Sequence, residues 1–464
     1  MNWKSVSSYL GFVLIALAVF MLIPLIVSLY YQEGVYVSFL LGSFISFAAG
    51  LVLIKKFKRE NLMLGSAMVL AGFAFVAVSL LGSIVYLDHL PPLDALFESV
   101  SGFTTTGLTT AVPESLPNSI LFWRSMTQWL GGLGMLVIII LLLSSPGMSA
   151  YYMYRSEIKT HRIEGNVYLA MKKIFMIYGI LTIAGVLLFL LVGMPAFDSI
   201  NHAMTAISTG GFSVKNASLG YYSSTLIEIV AIVLMVLGAT SIFLHKKIFS
   251  SDYREYFRNS EVQLFWVLIT VFSVLISISF LPIAEPIRTG VFNTFSAMTT
   301  TGFNLGIHAY PELSKFLLVL VMIIGGFAGS IAGGLKLARV GVLGKAMTWV
   351  SKKIFYPSSA VVPFKFNRRT IGDEELTIIS LFSFAYIFIL IISSMLLSFM
   401  GYTPMDSFFV SASAEGTVGL TTMDIAAMNP AGKVILIIDM LLGRLEILPF
   451  FVLFFALYSR VKTR

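Results

Sequence analysis

Short runs of threonine, serine and glycine recur along a chain that is otherwise strongly apolar. The first run offers many hydroxyl and carbonyl oxygens and no charge, which suits a ligand such as a partly dehydrated monovalent cation. A single run of this kind is typical of a turn between helices, so the interpretation depends on the recurrence. The runs are SGFTTTGLTT (Ser101 to Thr110), AISTGGFSVKN (Ala206 to Asn216), MTTTGFNLG (Met298 to Gly306) and EGTVGLTT (Glu415 to Thr422).

The runs fall into register when one glycine of each is aligned, and a proline precedes each glycine by 15 or 16 residues. The aligned glycines, about a hundred residues apart, are Gly107, Gly210, Gly302 and Gly419, and the prolines are Pro92, Pro195, Pro286 and Pro404. Proline is favoured in the first turn of a helix, so each predicts a short helix of about 16 Å, half a bilayer. Irregular backbone at membrane depth is tolerated only where it is buried or lines a water-filled path.

The composition excludes a water-soluble globular protein. Of the 464 residues, 57% are hydrophobic and 12% are charged, and the mean hydropathy is +0.90. The apolar runs approach the roughly 20 residues that cross a bilayer as a helix, and the alternation of a β-barrel is absent. The chain has no cysteine, so disulfides and thiolate metal sites are excluded. We therefore predict an all-α integral membrane protein with four repeats around a pseudo-fourfold pore.

Each repeat is predicted to contain an outer helix, a re-entrant pore loop and an inner helix, and two further transmembrane helices precede the first repeat. The leading helices are Gly11 to Tyr31 and Val35 to Ile54. The outer helices are Leu64 to Leu87, Ile174 to Gly193, Val262 to Leu281 and Leu376 to Met400. The inner helices are Ile120 to Leu143, Thr225 to Leu244, Phe316 to Leu335 and Val434 to Tyr458. The corresponding divisions are 1–60 for the leading helices and 61–150, 151–258, 259–350 and 351–464 for the repeats.

Basic residues are concentrated in every second connection between the predicted spans. The net charge of +8 is therefore explained by membrane topology, because cytoplasmic loops carry an excess of lysine and arginine. It does not indicate nucleic-acid binding. We expect a multi-pass protein of the cell membrane with both termini in the cytoplasm. The basic segments are Lys55 to Glu60, Arg155 to Lys173, His245 to Arg258, Lys336 to Arg369 and the C-terminal SRVKTR.

The repeated helix and loop pattern with a single filter glycine resembles the Trk/Ktr/HKT superfamily of potassium transporters over essentially the whole chain. Three inner-helix motifs carry the resemblance: WRSMTQWLGGLG (Trp123 to Gly134), GGFAGSIAGGLK (Gly325 to Lys336) and GRLEILPFF (Gly443 to Phe451). The two leading helices are similar to Trk-type members, whereas GTVGLTT in the fourth loop is nearer the Ktr pattern. The resemblance implies a homodimer in the lipid bilayer, a cytosolic nucleotide-binding regulatory subunit, and no organic cofactor.

The four loops are predicted to form a selectivity filter in which backbone carbonyls bind K⁺, the transported ion. Sodium-preferring relatives often have serine at the first filter glycine, so Gly107 favours potassium. The predicted ligands are the carbonyls of Thr105, Thr106, Gly107, Ser208, Thr209, Gly210, Thr300, Thr301, Gly302, Thr417, Val418 and Gly419.

A cluster of glycines in the third inner helix favours a broken helix, since each glycine costs about 1 kcal/mol in a helix. Small residues at this spacing are equally typical of a helix-packing face. By the resemblance, the segment is an intramembrane gating loop beneath the filter, and Lys336 and Arg339 mark its cytosolic exit. The glycines are Gly325, Gly326, Gly329, Gly333 and Gly334.

Arg444 lies near the middle of the last predicted span, where a charge is costly and usually functional. Helical spacing places Asp439 and Glu446 together on a different face of that span. We therefore expect Arg444 to point toward the glycine-rich segment or the conduction path as part of the gate. A structural ion pair with another helix is the alternative.

The chain lacks the motifs of hydrolases and nucleotide-binding enzymes, so no catalytic function is predicted. An H⁺- or Na⁺-coupled secondary carrier is the alternative to a channel-like pore, because broken helices and midplane sites occur in carriers too. Glu415, two residues before the fourth filter segment, is interpreted either as a hydrogen-bonded carboxylate behind the filter or as a charge that tunes cation entry. His202 and Trp123 are interpreted as packing or interface residues.

Overall fold

The computed structural model is almost entirely helical, and its only strands form a two-residue antiparallel hairpin among the residues that it describes. These residues are 2–60, 62, 64–144, 167–241, 244–245, 253–281, 285–306, 310–357, 362–367, 369–447, 449 and 452. The predicted boundary between residues 150 and 151, most of the basic segment Arg155 to Lys173, and the C-terminal SRVKTR lie outside them. The division of the chain into domains stays a prediction.

The helices follow the predicted order of outer helix, short helix and inner helix. The leading and first-repeat helices are α1 (Trp3–Tyr30), α2 (Tyr36–Lys56), α3 (Leu64–Gly82), α4 (Pro92–Phe103) and α5 (Asn118–Ser144). The next are α6 (Val167–Leu191), α7 (Ala196–Ile207), α8 (Thr225–Ala239), α9 (Tyr253–Phe257), α10 (Ser260–Ser279), α11 (Pro286–Met298), α12 (Glu312–Ile324) and α13 (Leu337–Lys353). The hairpin of β1 (Lys365–Phe366) and β2 (Arg369–Thr370) precedes α14 (Asp373–Phe399), α15 (Pro404–Glu415) and α16 (Pro430–Arg444). Short 3₁₀ helices occupy Ser83–Tyr86, Pro113–Ser115 and Ser218–Tyr222.

The short helices α4, α7, α11 and α15 are the four re-entrant elements, and we call them the pore helices. They have 12 or 13 residues each, about 18 Å at 1.5 Å per residue, so none of them crosses a bilayer. A proline opens α4, α11 and α15, and Pro195 caps α7, because proline fixes the backbone angle that a first turn needs. Nearly every residue in their C-terminal halves is buried.

Three inner helices end earlier than predicted. Helices α8, α12 and α16 stop at Ala239, Ile324 and Arg444, after 15, 13 and 15 residues. The backbone becomes extended at Thr240 and left-handed at Gly325, and Glu446 follows α16 with a φ of 54°. The predicted helix ends at Leu244 and Tyr458 are therefore wrong, although most of the last residues of the fourth inner helix lie outside the described part of the chain. The third inner helix ends just before Gly325, at the glycine cluster for which a broken helix is predicted.

Long apolar helices confirm an all-α, multi-pass membrane protein. Within the described residues, six helices are long and apolar enough to cross a membrane, and the shorter α8 is also apolar. Large apolar side chains such as Phe44, Val271 and Phe384 are exposed on them, as expected where helices face lipid. The six are Trp3–Tyr30, Tyr36–Lys56, Gly65–Tyr86, Met171–Leu191, Ser260–Ser279 and Asp373–Phe399.

Candidate cation-binding site

Each pore helix ends in the same backbone turn. The last residue of each helix is followed by four residues in a fixed order: a capping residue, a threonine with positive φ, a central residue and a glycine with positive φ. A threonine in this left-handed region is unusual, so the same strained geometry in all of the loops indicates a shared constraint. The threonines are Thr105, Thr209, Thr300 and Thr417, with φ of 54°, 51°, 53° and 50°. The glycines are Gly107, Gly211, Gly302 and Gly419, with φ of 92°, 74°, 83° and 96°.

This geometry corrects the predicted register of the second loop by one residue. Gly211, and not Gly210, is the equivalent of Gly107, and Ser208 is the residue that caps α7. The equivalent triplet is therefore Thr209, Gly210 and Gly211. The sequence carries a signal for this register, because aligning Gly211 places threonine at the same position in every loop, whereas aligning Gly210 places serine there.

We call the backbone segments 105–107, 209–211, 300–302 and 417–419 the loop ring. In each segment the central residue donates its backbone N–H to a carbonyl in the last turns of its own pore helix. These bonds use the N–H groups, so they anchor each loop to its own pore helix without engaging the loop carbonyls. The bonds are Thr106 to Ser101 at 2.9 Å, Gly210 to Thr205 at 2.8 Å, Thr301 to Ser296 at 3.0 Å and Val418 to Ser413 at 2.8 Å.

The four segments close into one ring through glycine-to-carbonyl contacts. A side-chain carbon on the glycine of one segment would overlap the central carbonyl oxygen of the next segment. The sequence of contacts runs in one direction around the axis and returns to its start, so the segments are related by a pseudo-fourfold arrangement. The contacts are Gly107 with Gly210, Gly211 with Thr301, Gly302 with Val418, and Gly419 with Thr106.

The threonine hydroxyls form a second layer of oxygens in the loop ring. The hydroxyls of Thr105, Thr209 and Thr417 are buried and have no hydrogen-bond partner among the described residues. The equivalent Thr300 accepts a hydrogen bond from the backbone N–H of Gly333 at 2.9 Å. Side chains thus contribute to the site together with the carbonyls that the sequence analysis emphasised.

Gln128 of α5 holds the second segment of the loop ring in place. Its Nε2 donates to the carbonyl oxygen of Gly210 at 2.5 Å, and its Oε1 accepts the backbone N–H of Phe212 at 3.0 Å. Sequence reasoning missed this residue. The available signal in the sequence was an amide side chain in the middle of an apolar inner helix, because a polar group there needs a hydrogen-bond partner. The structure shows that this side chain is fully buried.

A buried ion pair joins the first and second loops just beyond the ring. Arg124 Nε donates to Glu98 Oε2 at 3.0 Å, and Arg124 Nη1 donates to the carbonyl of Ser213 at 3.1 Å. Glu98 Oε1 also accepts backbone N–H bonds from Thr110 at 2.6 Å and Ala111 at 3.2 Å. This network fixes the backbone that follows both segments, and it too escaped the sequence analysis.

The glycine-rich segment lies directly beneath the third and fourth loops. After α12 the chain turns at Gly325, with φ of 71°, and folds back so that Leu335 donates its N–H to the carbonyl of Ile323 at 2.9 Å. Gly333 contacts the hydroxyl of Thr417, and a side chain at this position would overlap it. All of the predicted gate glycines lie in this non-helical stretch: Gly325, Gly326, Gly329, Gly333 and Gly334.

Arg444 connects this segment to the first inner helix. Its Nη1 donates to the carbonyl of Ile331 at 2.7 Å, and its Nη2 donates to the carbonyl of Gly131 at 2.9 Å. The side chain is fully buried at the last residue of α16. Arg444 of the fourth repeat therefore links the glycine-rich segment of the third repeat to the inner helix of the first.

Asp439 and Glu446 do not share a helix face, contrary to the prediction, because α16 ends before Glu446. Glu446 accepts hydrogen bonds from Lys336 Nζ at 2.6 Å and Arg339 Nη2 at 2.5 Å. Lys336 and Arg339 are accordingly buried in an ion-pair cluster, and their position at a cytosolic exit stays a prediction.

Three other residues that the sequence analysis singled out are fully buried. His202 contacts the carbonyl of Asp198 at 2.8 Å and the hydroxyl of Ser213 at 2.9 Å. Trp123 donates to the carbonyl of Gly82 at 3.3 Å within an apolar cluster. Glu415 is fully buried, and no described residue donates a hydrogen bond to its carboxylate.

Comparison with known proteins places this arrangement in a family. The family model of TrkH, described as a cation transport protein, matches residues 37–461. An uncharacterized cation transporter of Methanocaldococcus jannaschii is 37% identical over 98% of this chain and 96% of its own length. The Trk system potassium uptake protein TrkH of Salmonella typhimurium is 32% identical over 98% of this chain and 99% of its own length.

A solved structure agrees with the sequence comparison. The crystal structure of the potassium transporter TrkH from Vibrio parahaemolyticus superposes with a TM-score of 0.86 at 28% identity, and 98% of each chain is covered. Sequence and fold therefore agree over nearly the whole length. The chain belongs to the TrkH family of cation transport proteins.

Proposed function

We propose that this protein takes up potassium across the cell membrane through a channel-like pore whose selectivity filter is the loop ring. The observation that carries the proposal is the closed cycle of glycine-to-carbonyl contacts among four segments with the same backbone geometry. Relatives named as potassium uptake proteins support the choice of ion.

The chemistry of the loop ring suits a weakly hydrated monovalent cation. Carbonyl and hydroxyl dipoles from four directions replace water around the ion without the strong field of a carboxylate, as in potassium-selective filters. The ligands in this proposal are the carbonyls of residues 105–107, 209–211, 300–302 and 417–419, together with the threonine hydroxyls. The second loop thereby contributes Thr209, Gly210 and Gly211.

The glycine-rich segment and Arg444 form the gate in this proposal. The segment contacts the loop ring from below through Gly333, and Arg444 ties it to Gly131 in α5. Three cationic side chains, Arg444, Lys336 and Arg339, lie in this region with the carboxylates of Glu446 and Glu261. Arg444 donates to backbone carbonyls and to neither carboxylate, so its positive charge opposes a cation. Two unit charges about 8 Å apart still repel by about 2 kcal/mol at an effective dielectric constant of 20.

Orientation and partners complete the proposal. Both termini are cytoplasmic, so a reporter joined after Lys58 is accessible from the cytosol and one near Glu114 from outside. The basic cytoplasmic surface receives a nucleotide-binding regulatory subunit, and the chain functions as a homodimer. Crosslinking of the purified protein in a bilayer would yield only monomers if the homodimer were wrong.

The decisive experiment is rubidium uptake into liposomes that contain the purified protein. We expect passive uptake that excess potassium suppresses and equal sodium does not, with a flux that follows the membrane potential. A fixed stoichiometry with H⁺ or Na⁺ at zero potential would instead identify a coupled carrier. Uptake suppressed equally by sodium and potassium would contradict a potassium-selective pore.

A further inference from the structure

The fourth pore helix ends in a carboxylate that the other three lack. Glu415 is the last residue of α15 and is 0% exposed, and neither of its carboxylate oxygens has a hydrogen-bond partner among the described residues. The residues at the equivalent helix ends are Phe103, Ile207 and Met298. Apolar side chains fill the position elsewhere, so packing of a pore helix does not require a carboxylate there.

A second buried carboxylate faces the same region from α16. Asp439 is 1% exposed, and its Oδ1 accepts a hydrogen bond from the hydroxyl of Ser393 at 2.6 Å. Its Oδ2 has no partner within the described part of the chain. Gly443, one helical turn after Asp439, packs directly against the backbone carbonyl of Glu415. The face of α16 that carries Asp439 therefore lies against the end of α15.

A tyrosine hydroxyl from a third helix completes the group. Tyr386 of α14 lies two helical turns before Ser393, is 1% exposed, and has no hydrogen-bond partner for its hydroxyl among the described residues. Seven residues separate Tyr386 from Ser393, so both side chains lie on the face of α14 that meets α16 through the Ser393 hydrogen bond. Helices α14, α15 and α16 thus each contribute a buried oxygen without a described partner, and we call Glu415, Asp439, Tyr386 and Ser393 the carboxyl cluster.

Two further buried hydroxyls without a described partner lie on the same face of α15 as Glu415. Ser407 and Ser411 precede Glu415 by eight and four residues, so helical periodicity places all three side chains on one face. Both hydroxyls are buried and lack a partner in the described residues. A row of oxygens one turn apart offers a small cation successive ligands between the start of α15 and the cluster.

No described cationic side chain pairs with either carboxyl group. Arg444 donates to Ile331 and Gly131, whereas Lys336 and Arg339 donate to Glu446. Moving a carboxylate out of water without a partner costs several kcal/mol, and buried carboxylates are accordingly paired or bound to metal ions. A buried carboxyl group without a partner is neutralised either by a proton or by a bound cation, so each carboxyl group of the cluster must hold one of the two.

We propose that the carboxyl cluster is a sodium-binding site behind the fourth segment of the loop ring. Carboxylate and hydroxyl oxygens are ligands for hard cations, and charged oxygens create a stronger field than carbonyl dipoles, which favours the smaller alkali ion. No group of three acidic or histidine side chains suited to a metal occurs among the described residues, which disfavours a divalent ion. The site goes beyond the proposed function, because binding requires no transport.

The bound ion joins α14, α15 and α16 just behind Thr417. Sodium binding at this position requires no transport through the loop ring, so the site can be tested independently of the proposed function.

The test measures sodium binding to the purified full-length chain in potassium-free choline buffer at fixed pH, with radioactive sodium as the probe. We expect one saturable sodium per chain. Asp439→Asn, which leaves the loop ring untouched, should weaken binding at least about tenfold, and Tyr386→Phe should weaken it by a smaller factor. Glu374→Gln, on the exposed first turn of α14, is the matched control and should bind as the parent does.

Two further measurements keep the outcomes distinct. Thermal unfolding must show that Asp439→Asn is folded, and Tyr386→Phe provides the second variant if it is not. Unchanged sodium affinity in the folded variants would overturn the site, as would sodium binding that is lost in Gly302→Ala but kept in Asp439→Asn, because the loop ring would then hold the ion. Failure of rubidium uptake with intact sodium binding would contradict the proposed function alone.

Discussion

The loop ring and the region directly beneath it differ in symmetry. In the ring, four segments share the same positive-φ threonine, the same hydrogen bond to the pore helix and the same glycine contact with a neighbour. Beneath it, α5 continues as a helix, α8 stops at Ala239, α12 gives way to the glycine-rich segment, and α16 ends at Arg444. An ion on an axis is best coordinated by equal contributions from all sides, whereas one or two elements suffice to obstruct a path.

Under the proposed function, this difference in symmetry separates the role of selecting the ion from the role of controlling the rate of flux. Changes in any one segment of the ring should disturb the common cavity and therefore ion selectivity. Changes beneath the ring should act on the residues of one or two repeats and alter the rate of flux. Gly333 connects the two regions, because its N–H donates to the hydroxyl of Thr300 and it also packs against Thr417.

The largest effect is expected from an alanine in the loop ring. Gly302→Ala places a side chain against the carbonyl of Val418. The φ of 83° at this position costs a residue with a side chain about 1–2 kcal/mol, and the overlap adds to that cost. Potassium over sodium selectivity should therefore fall by more than about tenfold in rubidium competition assays. Gly211→Ala should behave alike if the corrected register holds.

Gly344→Ala is the control for this substitution, because it lies in α13 with no atom within 4 Å of the added carbon. Parent-like selectivity in folded Gly302→Ala would break the comparison, since the ring would then not determine the choice of ion.

A smaller effect, on rate, is expected at Arg444. Arg444→Gln removes the charge and at least one of two hydrogen bonds, and a hydrogen bond to a charged group contributes about 1.5–3 kcal/mol. Basal rubidium flux should rise about three- to tenfold with selectivity retained. The exposed charge of Lys345 provides a control in Lys345→Gln.

Arg444→Lys separates the two mechanisms of the arginine. Lysine keeps the charge but cannot reproduce the planar pair of donors to Ile331 and Gly131. A fast lysine variant indicates that the hydrogen bonds hold the gate, and a slow one indicates that charge does. If folded Arg444→Gln is no faster than the parent, the arginine has a structural role.

The smallest effects are expected from replacing single threonines of the loop ring, and they test which threonine connects the ring to the segment beneath it. Thr417→Val removes a hydroxyl that has no described partner, so potassium affinity should fall about two- to threefold without a change in maximal rate. Thr300→Val removes the acceptor for Gly333, so maximal flux should change as well. Concentration series of rubidium uptake distinguish these results, and identical behaviour of both variants would show that the Gly333 contact does not link ring and gate.

Much of the fold could be predicted because it is encoded in local patterns. Apolar runs gave the spans, and the prolines before α4, α7, α11 and α15 gave the starts of the pore helices. The helical membrane class and the family resemblance are confirmed. The predicted register of the second loop was wrong because it aligned Gly210, although the threonine two residues before Gly211 matches the other loops, and the backbone angles confirm Gly211 as the equivalent glycine.

The sequence by itself determined the four repeats, their order and the oxygen-rich loops, because proline, glycine and apolar periodicity act on nearby backbone. Tertiary structure alone decided which side chains meet across repeats: Arg444 with Ile331 and Gly131, and Gln128 with Gly210. These contacts join residues about 80 to 310 positions apart, and no local preference encodes them. They form because buried donors must find acceptors, and only the closed packing of the repeats determines which acceptors lie within reach.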